Sequence, residues 1–109
     1  MDEIILVLTN LPDRESAQRM AQSLIENHTA ACVNILAECS SVYRWQGKIE
    51  TASEVPLLIK STRATYPRLE ASIRAHHPYE LPEIIAVPVS TGFPGYLQWV
   101  AQETQATEE

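Results

Sequence analysis

Glycine is scarce in this 109-residue chain, and its three positions, Gly47, Gly92 and Gly95, all fall in turn-like sequence. No G-x-G-x-x-G or other phosphate-cradling loop exists, which removes the common nucleotide-binding motifs. Cysteine is scarcer still, with Cys32 and Cys39 alone, and no Cys-x-x-Cys loop is present to serve a copper chaperone or a redox centre. Neither a zincin helix nor a nucleophile elbow occurs, so hydrolase chemistry has no support and we expect no enzyme. Positive charge is short as well: eight Lys and Arg stand against 14 Asp and Glu, for a net charge of −6. That balance argues against a nucleic-acid backbone as partner, because such binding needs a basic face. The longest apolar run, Ile4 to Leu8, is far below the ~20 residues that span a bilayer. Met1-Asp2-Glu3 offers no basic n-region, so the expectation is a cytoplasmic protein without signal peptide or membrane segment.

What is present fits one globular domain over residues 1–109, with 45% apolar and 20% charged residues, an ordinary balance for a packed core. Ile4 to Leu8 reads as a central strand covered on both faces. Asp13 is a plausible N-cap for a helix over residues 13–27, whose stripe is Ala17, Met20, Ala21, Leu24 and Ile25. His28 reads as a helix-end residue. Ala31 to Leu36 is a second strand, interrupted at Ala37-Glu38 and resumed from Ser40 to Trp45. Gln46-Gly47 closes a hairpin onto a return strand from Ile49 to Lys60, in which Pro56 marks an edge or a bulge. A helix over 62–76 follows, with Thr65 as cap, Pro67 in its first turn and Tyr66, Leu69 and Ile73 as its buried stripe. Pro78 ends it. Residues 83–90 form the last strand, with Pro88 again at an edge or bulge. A short helix carrying Tyr96, Leu97, Trp99 and Val100 comes next, and a polar tail from Thr104 is expected to fray. Were Cys32 and Cys39 on one continuous strand, they would lie ~23 Å apart on opposite faces, so free thiols are expected. The order β-α-β-β-α-β-α is that of an α+β ferredoxin-like sandwich, an antiparallel sheet with helices on one face, plus a C-terminal helix. The overlong hairpin leaves backbone unpaired unless a second copy covers it, which points to a closed homo-oligomer.

The densest chemistry lies in His76-His77-Pro78-Tyr79-Glu80-Leu81-Pro82-Glu83, where two imidazoles, a phenol and two carboxylates share a proline-stiffened frame. Imidazole and carboxylate suit borderline divalent cations, and equally proton transfer. Together with Ala30-Ala31-Cys32-Val33-Asn34, Tyr43-Arg44-Trp45-Gln46-Gly47-Lys48-Ile49-Glu50, Lys60 and Tyr96-Leu97-Gln98-Trp99, this run resembles the divalent-cation tolerance family, CutA, over nearly the whole chain. The resemblance implies a ferredoxin-like fold assembled as a PII-like homotrimer and a role in the response to metal ions. It also implies copper binding by the paired histidines with a cysteine near the end of the first strand. His76 and His77 match; the cysteine position is Thr9 here, a departure that weakens a soft-metal site.

Weighed residue by residue, the metal candidates are His76, His77 and Cys32, with Cu(II) or another divalent cation as the ion. Adjacent helical residues point ~100° apart, so the two imidazoles do not chelate one ion as an i, i+4 pair does. His76 suits equally a helix C-terminus, His77 a hydrogen bond to a neighbouring chain, and Cys32 a small buried hydrophobe. Trp45, Lys60, Tyr79, Glu80 and Glu83 are the candidates for a cleft between subunits. There Lys60 either pairs with Glu83 or draws an anionic ligand, as a PII-type signalling or interaction module with a small-molecule or protein partner would require.

Overall fold

The computed structural model describes residues 3–105. Its elements are β1 (Ile4–Leu11), α1 (Arg14–Glu26), β2 (Cys32–Ile35), β3 (Cys39–Trp45), β4 (Lys48–Thr62), α2 (Tyr66–His76), β5 (Ile85–Pro88) and α3 (Pro94–Glu103). The antiparallel sheet runs β2-β4-β1-β5, with β3 continuing the β2 side of β4. This is the ferredoxin-like α+β arrangement, its second strand split in two. Along β1 the residues Ile5, Val7 and Leu11 point into the core, where Val55, Leu57 and Ile59 of β4 meet Ala17, Met20 and Leu24 of α1 and Leu69 and Ile73 of α2. Burial of these side chains is the main stabilising term, at roughly 25 cal/mol per Å² of apolar surface.

The prolines explain themselves in the register. Ile35 pairs with Leu57 and Cys39 with Glu54, so residues 36–38 stand opposite only 55 and 56, a bulge of one extra residue. The Pro56 carbonyl accepts from Leu36 N–H on that side, and a strand residue aims its N–H and C=O the same way. The missing Pro56 N–H therefore faces the bulge and breaks no bond to β1. Pro88 lies in β5, an edge strand whose neighbour Val89 donates to Ile4 O. Its own missing N–H faces the open edge.

The hairpin turn matches the two-residue geometry expected of it, with Gln46 at φ 51 and Gly47 at φ 81. Asp13 caps α1 by accepting from Ser16 N at 2.7 Å, and that bond holds its carboxyl below the usual range. His28 takes φ 61 just past α1, and its Nδ1 lies 3.2 Å from Glu103 O, tying α1 to the end of α3.

Several boundaries differ from expectation. Residues 9–11 extend β1 because they pair with 55–57. Thr62 still pairs with Ile4, so α2 starts at Tyr66 after a turn in which Thr65 N donates to Thr62 Oγ1. Thr65 occupies the cap position without capping; its hydroxyl bonds Thr62 Oγ1 and Thr104 O instead. Ile25 is 41% exposed and falls outside the apolar stripe. Strand β5 covers only Ile85–Pro88. Thr104 is buried rather than frayed, its carbonyl receiving Thr65 Oγ1 and Arg68 Nη2; residues 106–109 of the expected tail lie outside the described residues. Both thiols are free. Cys32 pairs with Lys60 and Cys39 with Glu54, about 20 Å apart along β4 even with the bulge between them.

Candidate functional site

Asn10, near the end of β1, fastens both ends of the 77–83 loop. Its carbonyl lies 2.7 Å from His77 Nε2, and its side-chain amide donates to Glu83 Oε1 at 3.2 Å. Tyr79 N–H donates to His77 Nδ1 at 3.1 Å. These two partners settle the tautomer: Nδ1 accepts, so Nε2 carries the proton and donates to Asn10. Both ring nitrogens of His77 are thus engaged within its own chain, leaving no lone pair for an ion in this arrangement. The imidazole is held neutral, its pKa lowered by burial against a smaller opposing pull from the Asn10 carbonyl and Glu54. His77 and Tyr79 also pack ring against ring, centroids 4.8 Å apart.

The loop so fixed forms one wall of a cleft of about 630 Å³. The β3–β4 hairpin supplies the other wall through Tyr43, Arg44, Trp45 and Glu54, while Tyr79, Glu80 and Glu83 come from the loop. The Tyr79 phenol is pushed up to about 12, first by burial and then by the Glu54 carboxylate beside it, so it stays a neutral donor throughout the physiological range. Four of the five expected cleft residues therefore meet here. Lys60 does not. Its ammonium donates to Asn34 Oδ1 and to Cys32 Sγ, the latter at 3.8 Å, and Glu83 takes the Asn10 amide in place of a lysine. Of the cleft residues named here, four escaped the sequence reading, Asn10, Tyr43, Arg44 and Glu54. Tyr43 and Arg44 sat in a motif already singled out; nothing local marks Asn10 or Glu54, because only the β1–β4 register brings them to the loop.

The metal candidates disperse. Cys32 stands opposite Lys60 and Asn10 opposite Pro56, four residues or about 13 Å apart along β4. The thiol lies beside the Tyr96 phenol, whose pKa is raised by burial and then by that sulfur. His76 Nδ1 lies 3.0 Å from Ser72 O, one helical turn back, which is the helix-end role. Among the described residues no three His, Cys, Asp or Glu side chains are grouped to hold an ion.

Thr9 is fully buried, and its Oγ1 has no hydrogen-bond partner. A buried unpaired hydroxyl is unfavourable, and valine has the same shape without it. Thr9→Val is expected to raise the unfolding free energy by about 1 kcal/mol, read from urea denaturation.

The family model for CutA1 divalent ion tolerance protein matches residues 5–103. The divalent-cation tolerance protein CutA of Thermus thermophilus is 40% identical over 104 residues, covering 95% of this chain and 99% of that one. Protein CutA of Homo sapiens is 42% identical over 98 residues, and there the match spans 90% of this chain but 55% of the human protein. Thus the chain spans about half the length of its mammalian relatives and nearly all of the Thermus one. Among solved structures, CutA1 from Oryza sativa superposes with a TM-score of 0.93 at 37% identity, over 97% of each chain. CutA from Xylella fastidiosa does so at 0.91 and 43%, over 94% of this chain and 98% of that one. With matches of this extent in sequence and in fold, the chain belongs to the CutA1 divalent ion tolerance family.

Proposed function

We propose that the protein serves divalent-cation tolerance as a cytoplasmic, non-catalytic homotrimer whose working element is the Tyr79 cleft, closed by a neighbouring subunit. One observation carries this: the 77–83 loop, latched to Asn10 of β1, faces the β3–β4 hairpin across a formed cleft, whereas His76, His77 and Cys32 do not converge. Pockets of this size with a few polar groups are the usual ligand sites. Trimerisation is supported by the sheet face away from α1 and α2. Leu8, Leu58 and Ile85 share a face because they are directly opposed, as do Leu6 and Val87. Ile85 and Val87 are half exposed there. Contiguous apolar surface of this kind marks an interface.

Direct, weak Cu(II) binding is a second reading. It is favoured by His76, whose exposed ring uses only Nδ1 within the chain, leaving a nitrogen of the type copper prefers. Growth under excess copper separates the two. A strain lacking the gene is complemented with wild type, with Glu80→Ala/Glu83→Ala, or with His76→Ala. The cleft reading expects the double glutamate variant to lose rescue and His76→Ala to keep it. The reverse pattern favours the metal site and overturns the cleft.

A further inference from the structure

Glu54 is a carboxylate largely withdrawn from water. It sits on β4 at 8% exposure, and among the described residues it makes no ion pair, its neighbour being the Tyr79 phenol, a neutral donor within hydrogen-bonding reach. Its charge is nonetheless felt by His77 and Tyr79. It lines the cleft. A carboxylate withdrawn from water calls for a cation with hydrogen bonds to offer. Arg44 is also in the cleft lining, yet it is exposed and pairs with no carboxylate among the described residues.

Size and wall chemistry indicate what cation fits. A divalent ion draws its oxygen ligands to ~2.0–2.6 Å, and no such grouping of acidic side chains exists among the described residues. A space of about 630 Å³ is instead that of a small organic ligand. Its walls include three aromatic rings, Tyr43, Trp45 and Tyr79, with Glu80 and Glu83 adding negative charge. Aromatic faces attract cations, and planar guanidinium both stacks on them and offers a fork of N–H donors to a carboxylate. An ammonium, a strongly hydrated point charge, gains less from such a site.

We propose that the Tyr79 cleft is a receptor for an alkylguanidinium cation, with Glu54 as the carboxylate that holds it and Tyr43, Trp45 and Tyr79 as its walls. This rests on the cleft being the working element and names the class of its ligand. Two sources carry that group, a free small molecule and an arginine side chain of a protein partner.

Calorimetric titration of the whole protein with n-butylguanidinium tests the proposal. Saturable binding is expected, at least about tenfold tighter than n-butylammonium. Glu54→Gln should weaken it by about tenfold or more, while Trp45→Ala, at the hairpin end and away from the core, should weaken it several-fold. No saturable binding to wild type, or equal binding to Glu54→Gln, overturns it. N-acetyl-arginine methylamide distinguishes the sources: equal affinity assigns the site to a protein-borne arginine, and rejection assigns it to a free ligand. The growth assay fails independently. Butylguanidinium binding with intact rescue by Glu80→Ala/Glu83→Ala would leave the receptor standing and remove its part in metal tolerance.

Discussion

His77→Ala is expected to lower the unfolding free energy by about 2–3 kcal/mol, although the residue is only partly buried. The substitution removes the bond to the Asn10 carbonyl and the bond from Tyr79 N–H, each worth about 1 kcal/mol net. It also removes the ring packing on Tyr79, a further ~0.5–1 kcal/mol. Acid should mimic the mutation. Protonated Nδ1 becomes a donor facing the Tyr79 N–H, also a donor, so the charged ring loses a partner it had when neutral. The folded-state pKa of His77 is lowered from 6.5, so below that value the unfolded chain binds more protons than the folded one. The contribution of this group is thus fully present above pH 6.5 and is lost as pH falls through the lower, folded-state pKa. Urea unfolding at pH 7.5 and at pH 5 measures it. Wild type should lose stability on acidification, and His77→Ala should lose less. Parallel losses in both proteins would place the acid sensitivity elsewhere. The cleft should follow the same course, because the 77–83 loop depends on His77 for one of its two ties to Asn10.

The sequence carried the elements further than the site, for a physical reason. Helix α1 announces itself through a cap and an apolar stripe, both local signals, and its observed ends fall within a residue of the expected ones. Pro56 and Pro88 likewise report a local fact, the missing N–H, and each stands at a bulge or an edge. The site is different in kind. Glu54, Asn10 and Tyr79 are far apart in the chain, and only the register of β1 on β4 makes them neighbours of the cleft. Lys60 shows the converse case. Its charge suggested a cleft role, but its position opposite Leu6 and Cys32 carries the ammonium to Asn34. His77 was legible as an important residue without being legible as a latch, since nothing local announces that Asn10 O awaits its Nε2.

The same register gives two adjacent leucines opposite duties, and here the largest expected effect arises. Leu57 is fully buried in the core with Val7, Leu24 and Leu69. Leu57→Ala should cost about 3 kcal/mol, within the 2–5 observed when buried leucine is truncated and the cavity stays partly open. Leu58 points the other way, opposed by Leu8 on β1 and Asn34 on β2. It is only half-buried in the isolated chain. If a trimer covers that face, Leu58→Ala should leave the dissociated chain within about 1 kcal/mol of wild type, yet weaken assembly. Stability linked to association depends on protein concentration. The melting temperature of Leu58→Ala should therefore fall below that of wild type most steeply on dilution, while Leu57→Ala should lose stability at every concentration. Sedimentation velocity should show Leu58→Ala dissociating at concentrations where wild type stays assembled. Equal assembly of the two would mean that the apolar face of Leu8, Leu58 and Ile85 does not hold the subunits together, and the closure of the cleft would then have to come through the β3–β4 hairpin alone.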